Sequence, residues 1–300
     1  MEKEIQSFDT IANYCSFFGF TPQHPLVAVV RFDSLTDRRS EYYAKWGLYA
    51  LFLKKTAGCT INYGKTRYDY DNQSVVCLSP GQLTHTIVHN SDITPEALGL
   101  IFHPDLLFRT SLAKSIRQYS FFGYDSREAL HLSPEECENI EECFRRIAKE
   151  LSHPIDKFSK NLIVSGIALL LDYCMRYYSR QFEVREVLNA GIMTKFDDLL
   201  HDYLHDPAAC ADGLPNVKYF ADRLALSPNY FGDIVKRATG MTAQDYIQNG
   251  LLSRAKILLL EQDSNVSQTA YHLGFQYPQH FIRFFKRKTG ITPKEFINMN

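Results

Sequence analysis

No run of 18 apolar residues occurs in this 300-residue chain, and its opening residues, Met1 to Asp9, carry neither a basic flank nor an apolar stretch. A spanning helix needs about 20 apolar residues and a secretory leader needs both missing features, so neither is expected. The seven cysteines (Cys15, Cys59, Cys77, Cys137, Cys143, Cys174 and Cys210) form no C-x-x-C pair. They read as buried, reduced thiols of a cytoplasmic protein rather than a disulfide framework or a zinc site. Catalytic signatures are missing too, since neither G-x-S-x-G nor G-x-G-x-x-G is present. Gly64-Lys65-Thr66 lacks the glycine five residues earlier that a phosphate-binding loop requires; Cys59 stands there. The following Arg67-Tyr68-Asp69-Tyr70 alternates like a strand instead of opening a helix.

A metal site is not expected either. His85 and His89 share a strand face. In extended chain they would stand about 13 Å apart, too far for two ligands that must each reach about 2.1 Å from one ion. No cofactor and no enzymatic activity are therefore expected.

Apolar residues make up 45% of the sequence and aromatics 13%, enough for folded cores, and 300 residues point to two domains. The net charge of −1 conceals an uneven distribution. From Leu214 onward 11 Lys plus Arg stand against 6 Asp plus Glu, +5, which leaves 22 against 28, −6, for the rest. A basic end on an acidic body suits a partner rich in phosphate.

Residues 1–130 read as short strands separated by turn signals: Leu26 to Phe32, Gly47 to Leu53, Cys59 to Tyr63, Val75 to Leu78, Thr84 to His89 and Ala97 to Phe102. That spacing predicts a sandwich or small barrel. Residues 131–185 turn helical. Ser133 caps, Pro134 takes the first position and Glu136 closes a capping box, predicting a helix through about Leu151. A second helix after His153-Pro154 carries Ile163, Ile167, Leu170, Cys174 and Tyr177 on one stripe. A third run, Val184 to Leu204, is expected to pack Phe196, Leu199, Leu200 and Tyr203 on the next helical unit.

Residues 186–300 hold one unit written twice, at about 217–239 and 266–289. Val217, Ala221, Leu224 and Leu226 align with Val266, Ala270, Leu273 and Phe275. After one inserted residue, Phe231, Lys236-Arg237, Thr239-Gly240 and Thr242 align with Phe281, Lys286-Arg287, Thr289-Gly290 and Thr292. Each copy reads as helix, turn and helix, with Ser227 capping the second helix of the first copy. Asn229, Tyr230, Gly232, Asp233, Lys236 and Arg237 are expected on the outer side of that helix. In the second copy Gln279, His280, Arg283, Lys286 and Arg287 are expected there. Between the copies, Thr242 to Glu261 predicts a helix of about 30 Å. That is near the ~34 Å between successive major-groove faces of B-DNA.

Leu-Ser-Pro-Asn-Tyr-Phe (226 to 231), Lys-Arg-Ala-Thr-Gly-Met-Thr (236 to 242), Ala-Lys-Ile-Leu-Leu (255 to 259), Ala-Tyr-His-Leu-Gly-Phe (270 to 275) and Phe-Phe-Lys-Arg-Lys-Thr-Gly-Ile-Thr-Pro (284 to 293) together resemble the AraC/XylS family of bacterial transcription regulators. The resemblance covers about the last 90 residues. It implies base contacts from Asn229, Gly232 and Asp233 in the first reading helix and from Gln279, His280 and Arg283 in the second. Lys236, Arg237, Lys286, Arg287 and the capped start at Ser227 would hold phosphates of double-stranded DNA. Gly232 and Asp233 depart from the family's longer polar or basic residues, Leu251 stands where the linker helix usually has an Arg with Gly250 beside it, and Ile297 replaces a terminal Arg. Ser79-Pro80-Gly81 resembles a turn of the family's cupin-like sensor domains. The implied fold is α+β, a cupin-like barrel or sandwich with a helical pair followed by an all-α domain. A small-molecule effector pocket is then expected near Trp46, Tyr49, Tyr63 and His85, with homodimer formation through residues 131–185 and RNA polymerase as a partner of an activator. A cupin-type metalloenzyme fused to a DNA-binding tail, and a non-DNA interaction module, stay open as alternatives.

Overall fold

The computed structural model describes residues 5–34, 41–55, 59–63, 73–88, 96–125, 128–206, 213–261 and 265–299. Gly64-Lys65-Thr66 and His89 lie outside them. The chain divides into two compact units, Met1–Val184 and Arg185–Asn300.

Among the described residues, the first unit is built on nine strands in two sheets. One sheet has the order β1 (Ile5–Phe8), β3 (Glu41–Trp46), β7 (Leu83–Val88), β5 (Cys59–Tyr63). The other runs β2 (Val27–Arg31), β8 (Ala97–Phe102), β4 (Tyr49–Lys54), β6 (Ser74–Leu78), β9 (Leu130–His131). All six predicted strands form, and the α+β class holds, with two separate sheets among the described residues where one closed barrel was an option. All pairings are antiparallel except β1 with β3.

Alternation decides what fills the space between the sheets. Ala44 and Trp46 from β3, Ala28 and Val30 from β2, Ala50 from β4, Val76 and Leu78 from β6 and Ile101 from β8 form one apolar cluster. The segment β1 plus helix α1 (Ile11–Phe18) adds Phe8, Ile11, Tyr14 and Cys15 to that cluster. Thr10 caps α1 and Gly19, at φ 74°, ends it. Neither β1, β3 nor α1 is among the predicted elements.

A four-residue helix α2 (Leu112–Ser115) precedes the predicted helical pair, α3 (Pro134–Leu151) and α4 (Ser159–Val184). The Ser133 capping box forms as expected. Arg180 of α4 makes two parallel bonds to the Glu136 carboxylate of α3 (2.8 and 2.9 Å) and a third to His131 O of β9 (2.7 Å), which ties both helices to one sheet. The expected stripe Ile163, Ile167, Leu170, Cys174 and Tyr177 is buried. Cys15, Cys77, Cys137, Cys143 and Cys174 are buried free thiols, and burial pushes each one's titration upward. No described helix is long and apolar enough to cross a membrane.

Among the described residues the second unit is all helical: α5 (Glu186–His205), α6 (Val217–Arg223), α7 (Pro228–Thr239), α8 (Ala243–Leu260), α9 (Val266–His272), α10 (Pro278–Thr289) and α11 (Pro293–Met299). One core runs through it, with Phe196, Leu200, Tyr203 and Leu204 of α5, Phe220 and Ala221 of α6, Phe231 and Val235 of α7, and Phe281 and Phe285 of α10. Phe196 is fully buried and meets Phe231, Phe220 and Tyr246 ring to ring at 4.8, 5.2 and 5.5 Å. The expected packing of α5 on the first helix-turn-helix is thus present.

Candidate nucleic-acid interface

The duplication is written into the backbone as well as the residues. Asn216 and Asn265 each cap a seven-residue helix by accepting from the N–H three residues on, at 2.9 and 2.8 Å. Ala225 and Gly274 then take the left-handed conformation at φ 56° and 84°. After each, Leu226 N donates back to Ala221 O (2.9 Å) and Phe275 N to Ala270 O (3.0 Å). This six-to-one bond closes the turn and satisfies a carbonyl that the helix end leaves open. Pro228 and Pro278 start the second helices. Gly240 and Gly290 end them at φ 73° and 83°, each N–H bonded at 2.8 Å to the carbonyl of Lys236 or Lys286. Thr242 and Thr292 cap the succeeding helices, α8 and α11, paired with Asp245 and Glu295. The matching asparagine caps extend the repeat one residue before its predicted start, and the Thr-x-x-acid caps lie where Thr242 and Thr292 were aligned.

Equal frames carry unequal outer faces. On α10, Gln279, His280, Arg283, Lys286 and Arg287 are all exposed. They lie opposite Phe281, Phe284 and Phe285, as helical periodicity requires. His280 meets the Tyr277 ring edge-on at 5.5 Å. Arg283, Lys286, Arg287 and Lys288 give α10 a charge of +4, with no acidic residue. Asp233, Lys236 and Arg237 leave α7 at +1 (2 − 1).

On α7, Asn229, Lys236 and Arg237 are exposed, while Gly232 and Asp233 are half-buried. Tyr230, expected outside, is only 4% exposed. It stands four residues before the equally buried Ile234, so the apolar side of the helix widens to include it. Ser227 is 7% exposed, and its hydroxyl accepts from Tyr230 N at 3.1 Å. Its part in the site is to set where the helix begins.

The linker helix α8 spans 18 residues, about 27 Å at ~1.5 Å per residue. Gly250 proves to be a crossing point: a Cβ there would meet the Leu200 and Leu204 side chains of α5 at 3.1 and 3.4 Å. Leu251 is buried in the common core. The departure at Leu251 and the glycine beside it both have packing reasons. Lys288 near the end of α10 pairs with Asp245 near the start of α8 at 3.3 Å. A cleft of about 330 Å³ lies between the two helices, walled by Gln244 and Gln248 on one side and by His280, Arg283 and Arg287 on the other.

Residues 220–299 match the family model described as a helix-turn-helix domain. An uncharacterized transcriptional regulatory protein of Bacillus subtilis, YesN, is 32% identical over 110 residues, 36% of this chain and 28% of that protein. The HTH-type transcriptional activator RhaS of Escherichia fergusonii is 37% identical over 75 residues, 25% of this chain and 27% of that one. The C-terminal region is an AraC-type helix-turn-helix domain. Among solved structures, the C-terminal domain of the two-component response regulator yesN from Fusobacterium nucleatum is 25% identical with a TM-score of 0.31, covering 35% of this chain and 96% of that one. The chain spans little more than a quarter of the length of these two curated relatives. The AraC-type domain includes every candidate DNA-contacting residue, from Ser227 to Arg287.

The described candidate effector residues, Trp46, Tyr49 and His85, do not share one face. Trp46 points into the inter-sheet core, donating Nε1–H to Thr84 Oγ1 at 2.9 Å. Tyr43 and His85 are cross-strand partners on the other face of the same sheet, stacked at 4.1 Å, with His85 Nε2 2.7 Å from Glu41 Oε1. Tyr49 faces away from Ala50 and the inter-sheet core, stacked on Phe102 at 5.1 Å and edge-on to Phe122. The Tyr63 side chain lies outside the described residues. The sequence offers the strand periodicity that separates these faces, but that periodicity had to be combined with the β3–β7 register to show it. Among the described residues, no three His, Cys, Asp or Glu side chains are placed to hold a metal ion.

Proposed function

We propose that this chain is a sequence-specific DNA-binding regulator of transcription, of the AraC/XylS type, without catalytic activity of its own. The observation that carries the reading is the duplicated helix-turn-helix with a second helix of charge +4 and no acidic residue. On this reading Gln279, His280 and Arg283 meet base edges in one major groove, and Asn229, Gly232 and Asp233 meet them in the next. Lys236, Arg237, Lys286 and Arg287 hold phosphates, and Ser227 fixes the start of the first reading helix.

The first unit senses a small molecule, pairs two chains, and so alters how the DNA-binding units are presented. RNA polymerase is the further partner if the regulator activates. Pairing is supported by Leu162 and Leu169, one heptad apart on α4, which are 55% and 42% exposed. The compartment that suits this function is the cytoplasm.

The test is selection of duplexes from a random pool by the full chain, followed by affinity measurement across salt. Four phosphate contacts per chain predict that log K falls with log salt at a slope of about −3 to −4. Absence of an enriched sequence, together with a flat salt response, would reject the reading. Calorimetry of the full chain with a metabolite panel tests the sensing unit separately.

A further inference from the structure

The helix between the two reading units has an obvious role as a spacer, and the cleft beside α10 gives it a second one. The floor of that cleft is closed, because Ile247, Leu251, Phe275 and Phe284 are each at most 7% exposed. Its accessible surface is mainly apolar, with Leu214 exposed at the rim, and its polar groups come from the two helices. Gln244 and Gln248 rise from α8, one helical turn apart, and His280, Arg283 and Arg287 face them from α10. Among the described residues, no acidic side chain lines the cleft.

Arg283 belongs to the base-reading set and Arg287 to the phosphate-holding set, so the cleft opens beside the DNA path. A duplex whose grooves take α7 and α10 one turn apart must carry its backbone across the span that α8 bridges. Amide groups beside guanidinium groups donate to phosphate oxygens while adding no charge.

We propose that α8 is a third DNA-contacting element, with Gln244 and Gln248 donating to a backbone phosphodiester that Arg287 neutralises from the opposite wall. This inference rests on the DNA-binding reading and extends it to the linker. Gln244 and Gln248 set the position of the backbone and read no base.

The test uses the full chain, the duplex enriched from the random pool, and a random-sequence duplex of equal length. Gln244→Ala with Gln248→Ala lowers affinity about 10-fold on both duplexes. The salt slope stays as in the parent, because no charge is removed. Arg287→Ala, by contrast, reduces the slope by about one. Ethylation of that backbone phosphate interferes more with the parent chain than with the double variant, in which Arg287 alone still holds it. Gln248→Lys supplies an independent arm: it tightens both duplexes and steepens the slope by about one.

Parent-like affinity and an unchanged ethylation pattern in the double variant, with no gain from Gln248→Lys, overturn the proposal while the DNA-binding reading stands. Failure of the parent chain to bind any duplex overturns that reading, and this proposal with it.

Discussion

The two helix-turn-helix units share a skeleton to the level of single hydrogen bonds and differ on the side that faces outward. Asparagine caps, a left-handed turn residue, a proline start and a glycine stop recur in both. Outside that frame, α10 carries four cationic residues and α7 carries two with one acid. Conservative packing under a varied surface allows one copy to supply most of the attraction to DNA. The other can then contribute position and a narrower set of contacts. Phe231 and Phe281 hold the frames; Asp233 and Arg283 occupy the same place on helices of different purpose.

The comparison is broken most severely in the core. Phe231→Ala and Phe281→Ala each remove a fully buried ring, and each should cost about 3–5 kcal/mol in a urea-unfolding measurement. A much smaller loss at Phe281 would mean that the copies are not energetic equals.

The next effect is on binding. Arg283→Ala is expected to cost about 1–3 kcal/mol on the selected duplex and to relax preference at one base pair. Lys286→Ala should weaken selected and random duplexes alike, and Asp233→Ala should change affinity by less than either. Competition titrations with single-base variants of the duplex distinguish these outcomes. Equal losses for Arg283→Ala on selected and random DNA would show that it reads no base.

The turns sharpen the comparison further. Gly274 sits at φ 84° without a side chain, so Gly274→Ala should cost about 1–2 kcal/mol. Ala225 already bears that strain at φ 56°, and Ala225→Gly should gain only a few tenths of a kcal/mol after the unfolded chain's added freedom is offset. Thermal melts of the pair check both signs.

The smallest effect concerns acid. The Thr242 hydroxyl and then the Lys288 ammonium hold the Asp245 carboxylate below its ordinary range, and the Thr292 backbone N–H does the same for Glu295. Depressed carboxylates stabilise the fold above their unfolded pKa, about 4, and lose that contribution as pH drops through the lower folded value. Melting temperature should therefore fall between about pH 5 and pH 3, and Asp245→Asn should flatten part of that fall.

Much of this architecture is legible in the residues. The Ser133 capping box, the Ser227 cap, Gly274 and the aligned Lys-Arg pairs have local chemical causes, and the structure places each as expected. What escapes the sequence is non-local. Ile5–Phe8 becomes a strand because Glu41–Trp46 lies parallel to it, a pairing that no short window encodes. Tyr230 lies on a helix flank, where periodicity alone does not separate buried from open. Gly250 looks like a weak point until Leu200 and Leu204 come to rest against it. The scattered placement of Trp46, Tyr49 and His85 likewise follows from strand partners, not from spacing.

The crossing at Gly250 also says where this DNA-binding half can be cut free. The match to the helix-turn-helix family model begins at Phe220, yet the rings of Phe220 and Phe231 are roofed by Phe196, well upstream of that edge. A fragment started at the recognisable edge would be born without its lid, greasy and prone to clump. One started at Arg185 would carry the missing helix with it. The transplantable piece is larger than its signature, because a covering helix need only supply bulk and oiliness, and those leave fainter marks than a turn or a cap.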